Sequence, residues 1–406
     1  MSTTGQSLND GPREAPAHAT GVVTIDLQRI TANWRALADL VRPAECAAVV
    51  KADAYGLGAA RVIPALAAAG CRTFFVATLD EAIVARGLAP SVRILVLDGV
   101  LPGAEATMRA AGVVPVLSSL AEAERWGQLS SSRHERLACA LHVDTGLNRL
   151  GLAAGEVRAL ATNSHLLDRL DVVLVMSHLA CADDPASAKN AQQRDVFEGL
   201  APLLPSAHRS LAASDGLMLG KPYHYDLVRP GYALYGGQAF GGGRTPVQPV
   251  VELHVKVLQV RDVVPGQTVG YAATWSPSRA SRIAIIAAGY ADGLFRHMSR
   301  SSHIASPEKT AAAISVPAPT DNSRSARPSA WIAVRGQFAP IVGRVSMDLI
   351  TVDVTDIDGG VTPGDLVEVI GPHISIEDVG VGAGTIGYEV LTSLGRRFHR
   401  VYRGGE

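Results

Sequence analysis

No C-x-x-C pair occurs anywhere in the chain. The four cysteines, Cys46, Cys71, Cys139 and Cys181, are scattered, so neither a zinc site nor a disulfide framework is indicated, and a reducing compartment is the simpler expectation. An excess of one charge is missing as well. A formal net charge of -1 leaves no basic field for nucleic acid and no strongly acidic tail, which points to a small-molecule partner. No uninterrupted apolar run approaches the ~20 residues of a membrane span. The opening MSTTGQSLNDGPREAPAHAT has no apolar core of the kind a signal peptide needs. These absences predict a soluble, cytoplasmic protein with a disordered tail at residues 1–20, no metal and no membrane partner.

What is present divides into two patterns. With 406 residues the chain exceeds one ordinary domain and fits two. From Ile25 the spacing of Leu27, Ile30, Trp34, Leu37 and Val41 is helical, behind a cap at Asp26. Short apolar runs then alternate with Ala- and Leu-rich helical segments: 46–50, 73–77, 93–97, 113–117, 137–143, 171–177 and 209–214. Runs that are apolar on successive residues suit strands covered on both faces, and strands alternating with helices imply parallel β/α units. The expectation is an α/β fold, a (β/α)8 TIM-type barrel over 21–245. After Gly236 strand-like stretches separated by Gly and Pro turns take over, so 246–406 reads as a mainly β domain. Within it, the Ser- and Pro-rich segment at about 297–330 cannot supply a core and reads as a surface insertion.

The stretch AAVVKADAYGLG ends an apolar strand on Lys51. Strand ends are where parallel barrels keep their chemistry, and a partly desolvated lysine has a lowered pKa that frees its amine to attack a carbonyl. Three more strand ends bring companions. HVDTGLNRLG carries Arg149, a fork suited to an anionic oxygen; LVMSHLA delivers His178; DLVRPGYALYGG places Arg229 and then Gly231, where backbone N–H groups can approach a phosphate.

Together these segments resemble the alanine racemases, pyridoxal-phosphate enzymes built from a barrel and a C-terminal β domain. VVKADAYGLG, VDTGLNRLG, SHLA, RPGYALYG, VGYAATW, GYADG, VGRVSMDLITVDV and IGYEVLTSLGRR occur in the family's order across residues 22–403. The resemblance implies that Lys51 holds pyridoxal 5'-phosphate as an internal aldimine and then serves as one of two bases. It implies that Tyr55, Ser214, the backbone at Gly231 and Tyr232, and Tyr388 bind the phosphate, with Asp53 and the glycines supporting the turn. Arg229 would face the pyridine nitrogen and leave it unprotonated, with His178 beside it. Tyr271 would be the second base, reached across a homodimer interface, and Met347 and Asp348 of the same partner would bind the substrate carboxylate together with Arg149. The implied reaction interconverts L- and D-alanine, for peptidoglycan supply or for catabolism.

One position departs from the family. Many members carry a lysine where this chain has His142, and its carbamate braces the arginine corresponding to Arg149. A histidine forms no stable carbamate, so either His142 is itself the brace or an anion or solvent fills the gap. Rival readings remain. A decarboxylase with the same cofactor would be expected to use a cysteine from the second domain, and no cysteine lies beyond Cys181. A single-barrel cofactor carrier would not need the β domain. A racemase preferring serine or a broad range of side chains is not separated by sequence. The departure has a direct test: stripping carbon dioxide from the buffer should leave turnover unchanged, whereas carbon-dioxide dependence would show that another lysine had taken the bracing role.

Overall fold

The apolar runs form strands that pair edge to edge in parallel. In the computed structural model, which describes residues 15–130, 135–238, 245–299 and 330–404, seven parallel strands follow one another. They are Ala48–Val49, Thr73–Val76, Arg93–Val96, Val114–Leu117, Leu137–His142, Leu170–Met176 and His208–Ser210. The intervening helices include Ala59–Ala69, Leu79–Leu88, Leu120–Gln128, Ala154–Thr162 and Ala188–Leu200. Closure falls to the short strand Leu227–Val228, which pairs in parallel with Glu45–Cys46. On that side the amides of Ala47 and Val49 donate to the carbonyls of Val228 and Pro230; on the other, the Arg229 amide donates to Ala212 C=O. The seam completes the (β/α)8 barrel read from the sequence.

Burial follows the pattern that defined the strands. Phe74, Phe75, Val76, Ile94, Leu95, Val96, Ala140 and Leu141 are all buried, as strands covered on both faces require. The first helix, Leu27–Val41, buries Leu27, Ile30, Leu37 and Val41, four of the five residues of the expected stripe. It also buries Asn33, whose side chain is fully engaged: Nδ2 donates to the carbonyls of Leu234 and Gln248, and Oδ1 accepts from the Gln248 amide.

The chain forms two compact units, Leu27–Val250 with the last residues, and the segment through Asp26 with Val251–Arg403. The β unit is thus assembled from both ends of the chain. Gly21–Asp26, which the sequence reading put in the 21–245 barrel span, is antiparallel to Val251–Val263 and parallel to His399–Arg403. Val251–Val263 also begins and ends a closed ring. It pairs with Ser281–Ile286, and the ring runs on through Ile350–Asp353, Gln337–Val342, Trp331–Val334 and Leu366–Ile370 back to Val251–Val263. All ring pairings are antiparallel, and a register shift between Val257 and Gln259 lets one long strand serve two neighbours.

Local differences from the sequence reading occur in this unit. TVGYAATW at 268–275, one of the strand-like stretches after Gly236, is not a strand; it is a loop closed by the bridge Val269↔Trp275, with Ala272 and Ala273 at φ 62° and 50°. Two helices, Ile376–Ala383 and Gly387–Ser393, stand where no helix was expected. Most of the proposed 297–330 insertion, residues 300–329, and residues 1–14 of the proposed tail lie outside the described residues. Among the described residues no helix is long and apolar enough to cross a membrane.

Candidate active site

Lys51 lies one residue, Val50, beyond Ala48–Val49 and is half-buried. Desolvation and the Arg149 charge lower its amine pKa, opposed by the carboxylates of Asp98 and Glu81. The residues after it turn the wrong way for an ordinary helix. Ala52, Asp53, Ala54 and Tyr55 all have φ between 53° and 55°, a left-handed turn without a single glycine. Its exit is held by Asp53, whose Oδ1 accepts the Ala59 amide at 2.7 Å and whose C=O accepts the Gly58 amide. This answers why KADAYG ends the strand so abruptly: the left-handed turn carries the Tyr55 side chain into the barrel unit, where it is buried against Tyr235 at 4.9 Å between ring centroids.

Beyond Lys51 the strand ends supply cationic and basic groups. Arg229 is buried, and its guanidinium donates to Ser210 Oγ, to the carbonyls of Ser177 and Leu211, and to His178 Nδ1 at 3.4 Å. None of these partners carries a negative charge. An arginine only donates, so His178 Nδ1 must accept and its proton is assigned to Nε2. Burial, then the neighbouring Arg229 and Arg149 charges, push the His178 pKa down to about 3; burial, Arg229 and Arg149 push that of His142 down to about 4. Both rings are therefore neutral at pH 7. His142 ends Leu137–His142 and lies 3.5 Å from Ser118 Oγ, and exposed Arg149 sits in the loop that follows.

At the closing seam Ser214 Oγ accepts the amides of Gly231 at 3.0 Å and Ala233 at 3.2 Å. A Cβ on Gly231 would fall 2.3 Å from Tyr55 Oη, so only glycine lets the phenol lie against this backbone. Tyr232, the next residue, is buried. The sequence-predicted residues Lys51, Tyr55, Arg149, His178, Ser214, Arg229, Gly231 and Tyr232 thus all belong to the barrel unit.

The remaining four belong to the β unit. Tyr271 is 67% exposed and opens the left-handed turn at Ala272–Ala273. Met347 and Asp348 occupy the turn between Gln337–Val342 and Ile350–Asp353, and Tyr388 stands in the first turn of Gly387–Ser393. The 347 turn is clamped to the GYADG segment. Ala291 N–H donates to Met347 C=O, and a Cβ on Gly289 would come within 2.3 Å of that oxygen. Arg397 ties the two together: Nε and Nη2 bind both oxygens of buried Asp292 at 2.7 and 2.8 Å, and Nη1 binds Asp348 Oδ1 at 2.7 Å. Such a bidentate pair fixes direction as well as distance.

The family described as alanine racemase, N-terminal domain, matches residues 25–239, and its C-terminal domain matches 250–316 and 321–402. The chain belongs to the alanine racemase family. An alanine racemase of Acidiphilium cryptum is 47% identical over 94% of this chain and 98% of its own length. A catabolic alanine racemase of Agrobacterium fabrum is 42% identical over 96% and 94%. Among solved structures, the Bartonella henselae alanine racemase, described with covalently bound pyridoxal phosphate, superposes with a TM-score of 0.85 at 39% identity, covering 95% of this chain and 99% of that one.

For an alanine racemase the barrel residues form a suitable donor set for a phosphorylated aldehyde: a half-buried amine of lowered pKa, two amides already converging on one oxygen, a buried phenol beside them, and a guanidinium with neutral partners. Residues passed over by sequence reasoning include Glu81, Tyr235, whose hydroxyl donates to Val49 C=O at 3.0 Å, and the Asp292–Arg397 pair. Asp292 and Arg397 lay inside quoted motifs, but pairing across 105 positions leaves no local trace.

The depressed imidazoles make a stability prediction. An unfolded histidine titrates near 6.5 while the folded rings resist protons down to about 4 and about 3, so below pH ~6.5 the unfolded state binds more protons and stability falls as pH falls. Between pH 7 and 5 the loss should be on the order of 2 kcal/mol per imidazole. Urea unfolding at the two pH values should show this, and His178→Gln should flatten the dependence; an unchanged slope would show that this ring is not held neutral.

Proposed function

We propose that the chain racemises alanine, interconverting the L- and D-forms with pyridoxal 5'-phosphate, as a cytoplasmic homodimer whose two subunits share each active site. The observation that carries this reading is Lys51: a half-buried amine of lowered pKa at a strand end, in the electrostatic company of Arg149 and His178. Lys51 would hold the cofactor. Its phosphate would lie against Tyr55, Ser214 and the backbone at Gly231 and Tyr232, with Tyr388 assisting. Arg229, already saturated by neutral partners, would face the ring nitrogen with His178 beside it.

Pyridoxal phosphate, when bound, withdraws electrons from the substrate Cα and makes its hydrogen acidic. The chain's own residues must then move that proton. Racemisation removes it from one face of a planar carbon and returns one to the other, which two fixed bases accomplish without any side chain crossing the plane. Lys51 Nζ serves one face, helped by its lowered pKa; Tyr271 of the partner subunit serves the other. Arg149 neutralises the substrate carboxylate together with the Met347–Asp348 turn. A carboxylate cannot attract another, so Asp348 contributes its backbone and its bond to Arg397 rather than its charge. Because racemisation is reversible, the same site can supply D-alanine for peptidoglycan or pass it to catabolism.

Incubating the purified protein with L-alanine and pyridoxal phosphate should produce D-alanine in a chiral assay, and none would reject the reading. The shared site has a sharper test. Lys51→Ala and Tyr271→Phe should each be inactive alone. Mixed under conditions of subunit exchange, each heterodimer owns one intact site and one with neither base, so about a quarter of normal activity should return when heterodimers reach about half of the dimers. Demonstrated exchange without recovery would place both bases in one chain.

A further inference from the structure

The left-handed turn after Lys51 has to be held in place. A left-handed conformation brings the Cβ of an L-residue too close to the following carbonyl oxygen, and four consecutive non-glycine residues adopt it here. Ala54 and Tyr55 are buried, so packing restrains the second half. Ala52 and Asp53 are exposed, and packing cannot restrain the first. The amide of Ala52, the first backbone donor after Lys51, is instead taken by Glu81 Oε1 at 2.7 Å. The other oxygen, Oε2, accepts the amide of Ala77 at 2.8 Å, just beyond Thr73–Val76. One carboxylate therefore ties together the ends of two adjacent barrel strands.

Glu81 has an ordinary alternative use that it declines. It is the third residue of the helix Leu79–Leu88, and its amide donates to the capping hydroxyl of Thr78. In a capping box its carboxylate would return to the amide of the cap residue. Here it reaches past the helix to Ala77 and across to Ala52. Glu156 makes the contrast visible: it occupies the same place in Ala154–Thr162 and does accept the amide of its cap, Ala153.

We propose that Glu81 is a positioning residue for Lys51, whose carboxylate, by holding the Ala52 amide, maintains the left-handed turn that fixes where the lysine amine points. The inference rests on the reading of Lys51 as the cofactor-bearing base. A second consequence is electrostatic: Glu81 opposes the fall in the Lys51 pKa, so its removal lowers that pKa further.

The two consequences separate experimentally. Glu81→Ala and Glu81→Gln are made alone and with Ala52→Gly, which takes positive φ without steric cost. Turnover of the loaded protein is measured alongside the pH dependence of reductive methylation of Lys51 in the cofactor-free full chain, where the amine is unmasked, followed by peptide mass spectrometry. Glu81→Ala should lower kcat by about 10- to 100-fold, the scale of loss from misplacing a reacting group. Glu81→Gln, which keeps one acceptor oxygen, should lose less. Ala52→Gly should recover much of the lost kcat in both backgrounds. The methylation midpoint should move to lower pH in each Glu81 variant and stay there with Ala52→Gly, since glycine restores geometry and not charge. A general structural defect would lower thermal stability without moving that midpoint. Unchanged kcat and midpoint in a folded Glu81→Gln protein would overturn the proposal, and so would a kcat loss that Ala52→Gly leaves untouched. If the unmodified chain does not racemise alanine, the functional reading fails, while the methylation profile still decides whether Glu81 governs the lysine.

Discussion

The barrel unit depends on how its last strand closes. Leu227–Val228 is only two residues long, too short to hold a seam by ladder bonds alone. Arg229, the next residue, completes the work: its backbone joins the strand of Ser210 through Ala212, and its buried guanidinium bonds to Ser177, Ser210 and Leu211. A charge is thereby buried at the mouth of the barrel with hydrogen bonds and without a counter-ion. An unpaired buried ion is costly, and hydrogen bonding by oriented dipoles is what makes it bearable. The seam thus sets the electrostatic character of everything near it.

That character propagates through the neighbouring groups. Burial first, and then the fixed Arg229 charge, leave His178 and His142 without their protons at pH 7, and desolvation reinforced by Arg149 pulls Lys51 the same way. The imidazoles become neutral acceptors or donors while the arginines keep the positive field. Such a field suits anionic groups such as a phosphate or a carboxylate, and leaves an amine that releases its proton more readily than a solvated lysine. It also bears on His142. A neutral ring can accept a hydrogen bond but cannot supply the negative charge a carbamate would bring, so any brace it offers Arg149 is by dipole and not by ion pairing.

The barrel was legible because fully covered strands must be apolar on successive residues, and that signal survives in runs such as Thr73–Val76 and Leu170–Met176. The β unit was less so. Gly21–Asp26 was placed with the barrel because nothing in six residues shows that their partners are Val251–Val263 and His399–Arg403. TVGYAATW alternates like a strand, yet Ala272 and Ala273 turn left-handed, a conformation alanine does not advertise. The turn after Lys51 was hidden for the same reason. Its glycines, Gly56 and Gly58, were visible, whereas the strained residues between lysine and glycine are chemically ordinary. Glu81 drew no notice in the sequence, because nothing local shows that its carboxylate reaches Ala77 and Ala52.

Left-handed backbone outside glycine occurs at Tyr225 and Arg335 as well, but it recurs beside the assigned residues in both units. Residues 52–55 turn left-handed beside Lys51 and residues 272–273 beside Tyr271, while Gly289, in unstrained extended backbone, lies too close to the Met347 carbonyl for any side chain. Each of these three features adjoins a residue to which the proposed function gives a part in chemistry or substrate binding. Backbone held in sparsely populated conformations persists only where its surroundings over-determine it. In the first and third cases the restraint is identifiable as a carboxylate that bonds beyond its own segment, Glu81 to Ala52 and Asp292 to Arg397. A carboxylate suits this task because it accepts from two directions at once and can join two chain segments that share no ladder. On the proposed function, the carboxylates that fix these segments, Glu81 and Asp292, are therefore distinct from the groups that react, and each acts through backbone or an arginine instead of on the substrate.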